Sequence, residues 1–456
     1  MSSLAADNLF QDPRVKQAKQ LLLDALDDAK KTLKSVRAPD PARVQSYSDV
    51  LDRLGDIRAG KTFYPYLGSG IGNGCLVELL DGSVKYDFIT GIGVHYFGHN
   101  HPQIVEACID AALSNTVMQG HLQQNKDSMD LGDDLKRLSG MDHCFLTSSG
   151  AMANENALKL AFQRHQPATR VLAFNHCFAG RTCTLSQITD KPQFRQGLPL
   201  NLAVDYVPFF DAANPEESTA NSIRILKDYL ARYPGAHAIM IFEFVQGEGG
   251  FYSAPPSFFR QLMEICKKHH VAVFADEVQT FGRLPQLFGY QYFGVSDLID
   301  IATIGKLSLV CATLFSKDYR PKPGLLSQTY TSSTSAIRAS RVVLKQLVED
   351  NYLGETGKIA TLGNYFRSKL EELSKRKPNL IKGPFGLGAM VAFTPFDGGA
   401  DNVARFVHQL FQTGVISFVA GSDPTRVRFL VPMGAISKHD IDAVMQIIEV
   451  TLTEQA

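Results

Sequence analysis

The chain has 456 residues, 45% hydrophobic and 20% charged, which is ordinary for a globular enzyme and long enough for two or three cores. Its 46 Lys+Arg balance 46 Asp+Glu, so no excess charge steers it toward nucleic acid or an anionic membrane. No run approaches the roughly 18 apolar residues of a membrane helix, and the cysteines include no C-x-x-C pair for a zinc ribbon or disulfide framework.

The opening MSSLAADNLFQDPRVKQAKQ lacks a basic segment followed by an apolar core, so a cytoplasmic protein with reduced thiols is expected. Residues from about 12 to 58 look helical, with LLLDALDDAKKTL the clearest amphipathic stretch. KTFYPYLGSGIGNG then reads as a loop. GSGIGNG at 68–74 does not fit G-x-G-x-x-G and follows no buried strand, which argues against a dinucleotide fold. His95, His99 and His101 in HYFGHNHP have no Cys or carboxylate at ligand spacing, so packing or hydrogen bonding is preferred over a metal.

From about 140 to 316 the pattern alternates strand and helix. DHCFLTSS and RVLAFNH read as strands, and HAIMIFEFV and VAVFADEV are continuous apolar runs of the kind buried in a parallel sheet. GAMANENALKLAFQRH has helical spacing at Ala153, Ala157, Leu160 and Ala161, and PSFFRQLMEICKKHH places Phe258, Leu262, Ile265 and Cys266 on one face. This alternation predicts βαβ units and a mostly parallel sheet. Past about residue 335 come a long helix (AIRASRVVLKQLVED), further helices, a strand pair near GAMVAFTPF and TRVRFLVP, and a Ser-capped last helix. The expected organisation is an N-terminal segment (1–75), a large α/β domain (76–335) and a smaller α+β domain (336–456), which the N-terminal segment completes.

Ligands of open parallel sheets bind beyond the carboxyl ends of the strands. Ser148, Ser149, Gly150 and Ala151 lie between a strand and a helix, which fits either a phosphate site or a plain helix cap. Glu243, Asp276 and Glu277 gather at one sheet edge, where a carboxylate closing an apolar strand needs a cation or a donor. Lys306 follows the short strand DIATIG in a mostly apolar stretch, so desolvation should depress its pKa, as a Schiff-base amine requires; a snorkelling strand-end Lys is the alternative.

The blocks ITGIGVHYFGHNHP, TSSGAMANENALKLA, FAGRT, EFVQGEGG, ADEVQTFGR and TIGK stand in order. Together they resemble the class III aminotransferases, the group of ornithine, acetylornithine, 4-aminobutyrate and lysine 6-aminotransferases, from about residue 60 to the end. The resemblance implies an α/β, fold-type I enzyme dependent on pyridoxal 5'-phosphate (PLP). It implies that Lys306 carries the cofactor as a Schiff base and shuttles a proton, and that Asp276 pairs with the pyridinium nitrogen. Val278 and Phe178 would sandwich the ring, Gln279 would reach its phenolic oxygen, Glu243 would line the same site, and Ser149, Gly150 and Ala151 would hold the phosphate. Thr329 would reach the phosphate of the neighbouring subunit, which requires a homodimer. Arg428 and Arg181 would bind substrate carboxylates, and Glu248 would pair with Arg428 when an ω-amine is bound.

The chain departs from the family pattern in several places. LSLVCAT replaces the Gly-rich stretch after the lysine, TYTSSTS replaces T-F-G-G-N-P, Ala179 stands for His or Trp, and Met152 stands for Glu. The implied reaction is ping-pong transfer of an amino group from an ω-amino acid or diamino acid to 2-oxoglutarate, with small molecules as the only other partners. Decarboxylation, racemisation or aminomutase action on the same fold, and a catalytically inactive relative, are the alternative readings.

Overall fold

In HAIMIFEFV and VAVFADEV nearly every side chain is apolar, so neither face of these strands can be left in water. The computed structural model, which describes residues 4–455, buries every residue of His237–Phe242 and Ala272–Glu277 in the middle of a sheet of seven strands. The order across that sheet is 143–147, 311–315, 301–304, 272–277, 237–242, 170–174 and 203–207. All neighbours run parallel except Cys311–Phe315, which is antiparallel to both Ile301–Ile304 and His143–Thr147. The 203–207 and 311–315 strands were not apparent in the sequence pattern.

Helices pack on this sheet largely through the faces their spacing predicts, although Ile265 of the predicted face is only half-buried. Ala153, Ala157, Leu160 and Ala161 of Gly150–Arg164 are all fully buried, as are Phe258, Leu262 and Cys266 of Pro256–Lys268. A four-stranded antiparallel sheet near the C-terminus has the order 381–385, 390–395, 426–430, 418–420, so the expected strand pair is the centre of a larger sheet. Ser437 caps the last helix, Lys438–Glu454, in a capping box with Asp440.

The N-terminal region is helical as its pattern suggests, but the Gly-rich stretch read as a loop is partly a strand. Pro13–Lys30 and Val44–Ile57 are separate helices, and Arg37 between them bridges to Val84. Gly68–Asn73 is a strand paired with Leu76–Leu79, because Gly74 (φ +59°) turns the chain back and Gly72 leaves room for the His99 side chain. Val415–Ile416 adds to this small sheet beside Val84–Asp87, joining chain regions far apart in sequence. Met1–Ser3 and Ala456, the ends of the first and last segments assigned from sequence, lie outside the described residues.

Candidate active site

The parallel strands deliver their last side chains to one edge of the sheet. Asp276 is buried there, with Oδ2 accepting from Asn154 Nδ2 at 2.7 Å and Oδ1 from the Val278 N–H at 3.0 Å. Asn154 is itself fixed by Thr303, which donates to its Oδ1 at 2.8 Å, and by its own bond to the Ala179 carbonyl at 2.8 Å. Burial raises the Asp276 carboxyl above its ordinary range, against the pull of these donors and of Lys306. Among the described residues, no Lys or Arg nitrogen forms an ion pair with it.

Glu243 ends the neighbouring strand and accepts from the Phe178 N–H at 2.8 Å and the Gly247 N–H at 3.3 Å. Burial first, and the adjacent Asp276 second, push its carboxyl up to about 8, which favours its protonated form near neutral pH. Glu277 faces the other way, because successive strand residues point to opposite faces. It accepts from the Tyr290 N–H at 2.9 Å and from Thr280, and so anchors the 277–290 segment.

Lys306 follows strand Ile301–Ile304 and opens a single 3-10 turn, Lys306–Ser308, with φ +54°. Burial brings its amine down to about 8; Asp276 opposes the shift, while Arg283 and Arg428 reinforce it. Gly305 before it is packed against Cys311 Sγ and the Val278 side chain. Val278 also lies against Gly150, where a Cβ would stand 2.8 Å from Val278 Cγ1. The two glycines thus let the backbone close around Val278, beside both Asp276 and Lys306.

Helix Gly150–Arg164 begins at this edge. Ser149 caps it by accepting from the Met152 N–H at 3.2 Å, which leaves the first-turn N–H groups of Gly150 and Ala151 without intrahelical acceptors. Phe178 and Arg181 sit on a turn pinned by the buried Thr189. Its hydroxyl accepts from the Ala179 N–H at 3.0 Å and the Gly180 N–H at 3.2 Å, and donates to the Gly180 carbonyl at 2.8 Å. The Phe178 ring meets Phe194 edge-on, and the Arg181 guanidinium lies 4.2 Å from the Phe194 ring centre.

The C-terminal sheet closes the other side. Arg428, fully buried on Arg426–Leu430, donates through Nη2 to Glu248 Oε1 at 2.5 Å. Its Nη1 donates to the Gly247 carbonyl at 2.9 Å and reaches Gln279 Oε1 at 3.4 Å, while its buried Nε has no partner. Burial works to raise the Glu248 carboxyl, and Arg428 outweighs it, so the net shift is downward. Arg181 is exposed at the same rim. Thr329 is exposed beside Gly120, on the segment whose Gln328 side chain accepts from Thr147 at 2.8 Å. His99, outside this cleft, pairs with the buried Asp87 at 3.0 Å, a carboxylate that local spacing had not brought to the histidines.

The model of the family "Aminotransferase class-III" matches residues 68–452. The chain belongs to the class III aminotransferases. This aminotransferase is 31% identical over 399 residues to the acetylornithine aminotransferase of Methanocaldococcus jannaschii, covering 84% of this chain and 92% of that one. It is 30% identical to the 5-aminovalerate aminotransferase DavT of Pseudomonas aeruginosa, over 78% of this chain and 86% of that one. The lysine aminotransferase of M. tuberculosis in its internal aldimine form superposes with a TM-score of 0.78 at 24% identity, covering 89% of this chain and all of that one. Such neighbours identify the architecture as the fold-type I α/β fold.

Two positioning residues of this aminotransferase escaped the sequence reading. Asn154 stands within the block TSSGAMANENALKLA but is given no role there, and Thr189 carries no local signal at all.

Proposed function

We propose that this aminotransferase uses PLP to move the amino group of an ω-amino acid or diamino acid to 2-oxoglutarate, alternating the two substrates in a ping-pong cycle. The residues fit the cofactor. A buried carboxylate without a cation, Asp276, suits a protonated ring nitrogen. The free N–H groups at the start of helix Gly150–Arg164, with Ser149, suit a phosphate. Val278 and Phe178 would flank the ring, with Gln279 and Glu243 along its edge. When bound there, PLP supplies an electron sink for the carbon that carries the amine.

The protein's own groups do the remaining work. Lys306 would hold the cofactor through its amine and would take and return the proton at the reacting carbon, a role suited to an amine whose pKa burial brings down to about 8. Asn154 holds Asp276 in line. At the rim, the observation that carries the substrate class is the 2.5 Å Arg428–Glu248 pair. While the pair is closed, Arg428 is shielded and the cleft admits an ω-amine; when Glu248 moves aside, the guanidinium fork is free for a carboxylate. The names of the relatives, acetylornithine, 5-aminovalerate and lysine aminotransferases, support the same donor class. Arg181 serves as the second carboxylate receptor. A second copy of the chain brings Thr329 to its partner's phosphate site, so the working unit is a homodimer, and balanced charge and reduced thiols suit the cytoplasm.

The visible spectrum of the holoenzyme tests this reading. The yellow absorbance of bound PLP should bleach with lysine, ornithine, 4-aminobutyrate or 5-aminopentanoate alone, and return with 2-oxoglutarate. No response to any such donor, or release of carbon dioxide without a keto acid, overturns it.

A further inference from the structure

Glu248 carries two cations, one on each oxygen. Arg428 Nη2 sits 2.5 Å from Oε1, and Lys191 Nζ sits 3.9 Å from Oε2. The second contact is too long for a hydrogen bond, so it leaves slack that a small movement of Glu248 would take up. Both side chains are mostly buried, with 17% of Lys191 and 16% of Glu248 exposed.

Lys191 is held in place by its own segment. Asp190 on one side accepts from the His176 N–H at 2.8 Å and donates its own N–H to the Cys177 carbonyl at 3.0 Å. On the other side the Phe194 N–H donates to the Lys191 carbonyl at 3.0 Å, and the Phe194 ring centre lies 5.8 Å from Lys191 Nζ and 4.2 Å from the Arg181 guanidinium. Burial lowers the Lys191 amine from its ordinary value; Glu248 opposes that shift, while Arg428 and Arg181 add to it.

The geometry raises a problem that Arg428 and Glu248 cannot solve alone. In the closed pair, Arg428 has its Nη2 on Glu248 and its Nη1 on Gly247, so a substrate carboxylate can engage the fork only by displacing Glu248. A displaced carboxylate that stays in the cleft without a cation would be strongly unfavourable. We infer that Lys191 is a specificity-determining residue that takes over Glu248 when a carboxylate occupies Arg428. It thereby sets how well the enzyme turns from its amino donor to its dicarboxylate acceptor. This rests on the proposed reaction for its two substrate classes, but the anion-binding half of it can be measured without turnover.

The test compares Lys191→Met, Lys191→Arg and the double variant Lys191→Met/Glu248→Gln with wild type, all as holoenzymes. Binding of glutarate, an inert dicarboxylate, is titrated calorimetrically, and kcat/KM is measured for 2-oxoglutarate and for the best ω-amino donor. Lys191→Met should weaken glutarate binding about tenfold and lower the ratio of kcat/KM for acceptor over donor about tenfold, the scale of one lost charge partner. Lys191→Arg should restore both to within about threefold, and neutralising Glu248 in the double variant should recover glutarate binding, since no displaced charge then needs a partner. Equal glutarate affinity in wild type and Lys191→Met overturns the assignment. So does a parallel loss in both half-reactions with an unchanged ratio, or a Lys191→Arg variant that restores nothing. If no donor reacts with wild type while glutarate still distinguishes it from Lys191→Met, the proposed reaction fails and the role of Lys191 stands.

Discussion

At the sheet edge, Asp276 is held by Asn154 at 2.7 Å and the Val278 N–H at 3.0 Å, partners that are neutral and themselves fixed by Thr303 and the strand. At the rim, Glu248 is held by Arg428 at 2.5 Å and Lys191 at 3.9 Å, both charged and on long side chains, and Arg428 keeps a buried Nε with no partner. The first arrangement has one low-energy geometry, since moving Asp276 would strand several donors at once. The second has two, since Glu248 can exchange one cation for another without losing all compensation. A site that must present one reacting centre to two different substrates is well served by joining a rigid end to a switchable one.

Several experiments would break or sharpen this contrast. The largest effect is expected at the rigid end, where Lys306→Ala should slow the donor half-reaction by roughly 10³-fold or more, as measured by stopped-flow absorbance, because no other amine replaces the lost acid–base group. Asp276→Asn keeps the size and the Val278 contact but removes the charge. It should cost roughly 10²- to 10³-fold in the same assay, the scale of losing one preorganised electrostatic partner. At the switchable end, Arg428→Gln should raise KM for 2-oxoglutarate about thirtyfold, in line with about 2 kcal/mol for a charge-assisted contact, and change the ω-donor constants less. Equal damage to both substrates would place Arg428 among the rigid parts.

Smaller effects should appear in pH dependence. In the cofactor-free protein, carbamylation of Lys306 by cyanate should reach half its limiting rate near pH 8, well below an exposed lysine, because the neutral amine forms as pH rises through about 8. Mass spectrometry of the labelled peptide reads this directly. For Glu243, whose folded pKa is raised to about 8, the ionised form is disfavoured by the fold. Its contribution to stability is therefore best below the ordinary carboxylate pKa and declines as pH rises toward about 8. Glu243→Gln should flatten the loss of urea midpoint between pH 5 and 8 in the cofactor-free protein, and an unchanged slope would assign that loss to other groups.

Much of the large sheet was legible because its central strands are apolar at nearly every position. The Cys311–Phe315 strand was not, since IATIGKLSLVCATLF is apolar on both sides of Lys306 and offers no punctuation where the chain reverses. The reversal is made by the Lys306–Ser308 turn and by Leu309 at φ +60°, a left-handed backbone that a leucine does not advertise. Gly68–Asn73 failed in the opposite sense. Its glycines suggest a loop, yet Gly72 is needed because His99 packs where a side chain would stand. In the site, the residues named by motif (Lys306, Asp276, Gln279, Arg428 and Glu248) lie close together, whereas the roles of Asn154, Thr189 and Lys191 emerge only from their contacts.

What the sequence determined by itself was the chemistry available at each strand end and the class of enzyme to which that order of blocks belongs. Hydrophobic period reports which residues leave water, and motifs report which groups stand at the ends of elements. Neither reports the order of strands across a parallel sheet or the register between distant segments. Those decided that Asn154 would meet Asp276 and that Lys191 would meet Glu248. Such contacts arise only when the whole apolar core is buried at once, and a local stretch of chain holds no record of them.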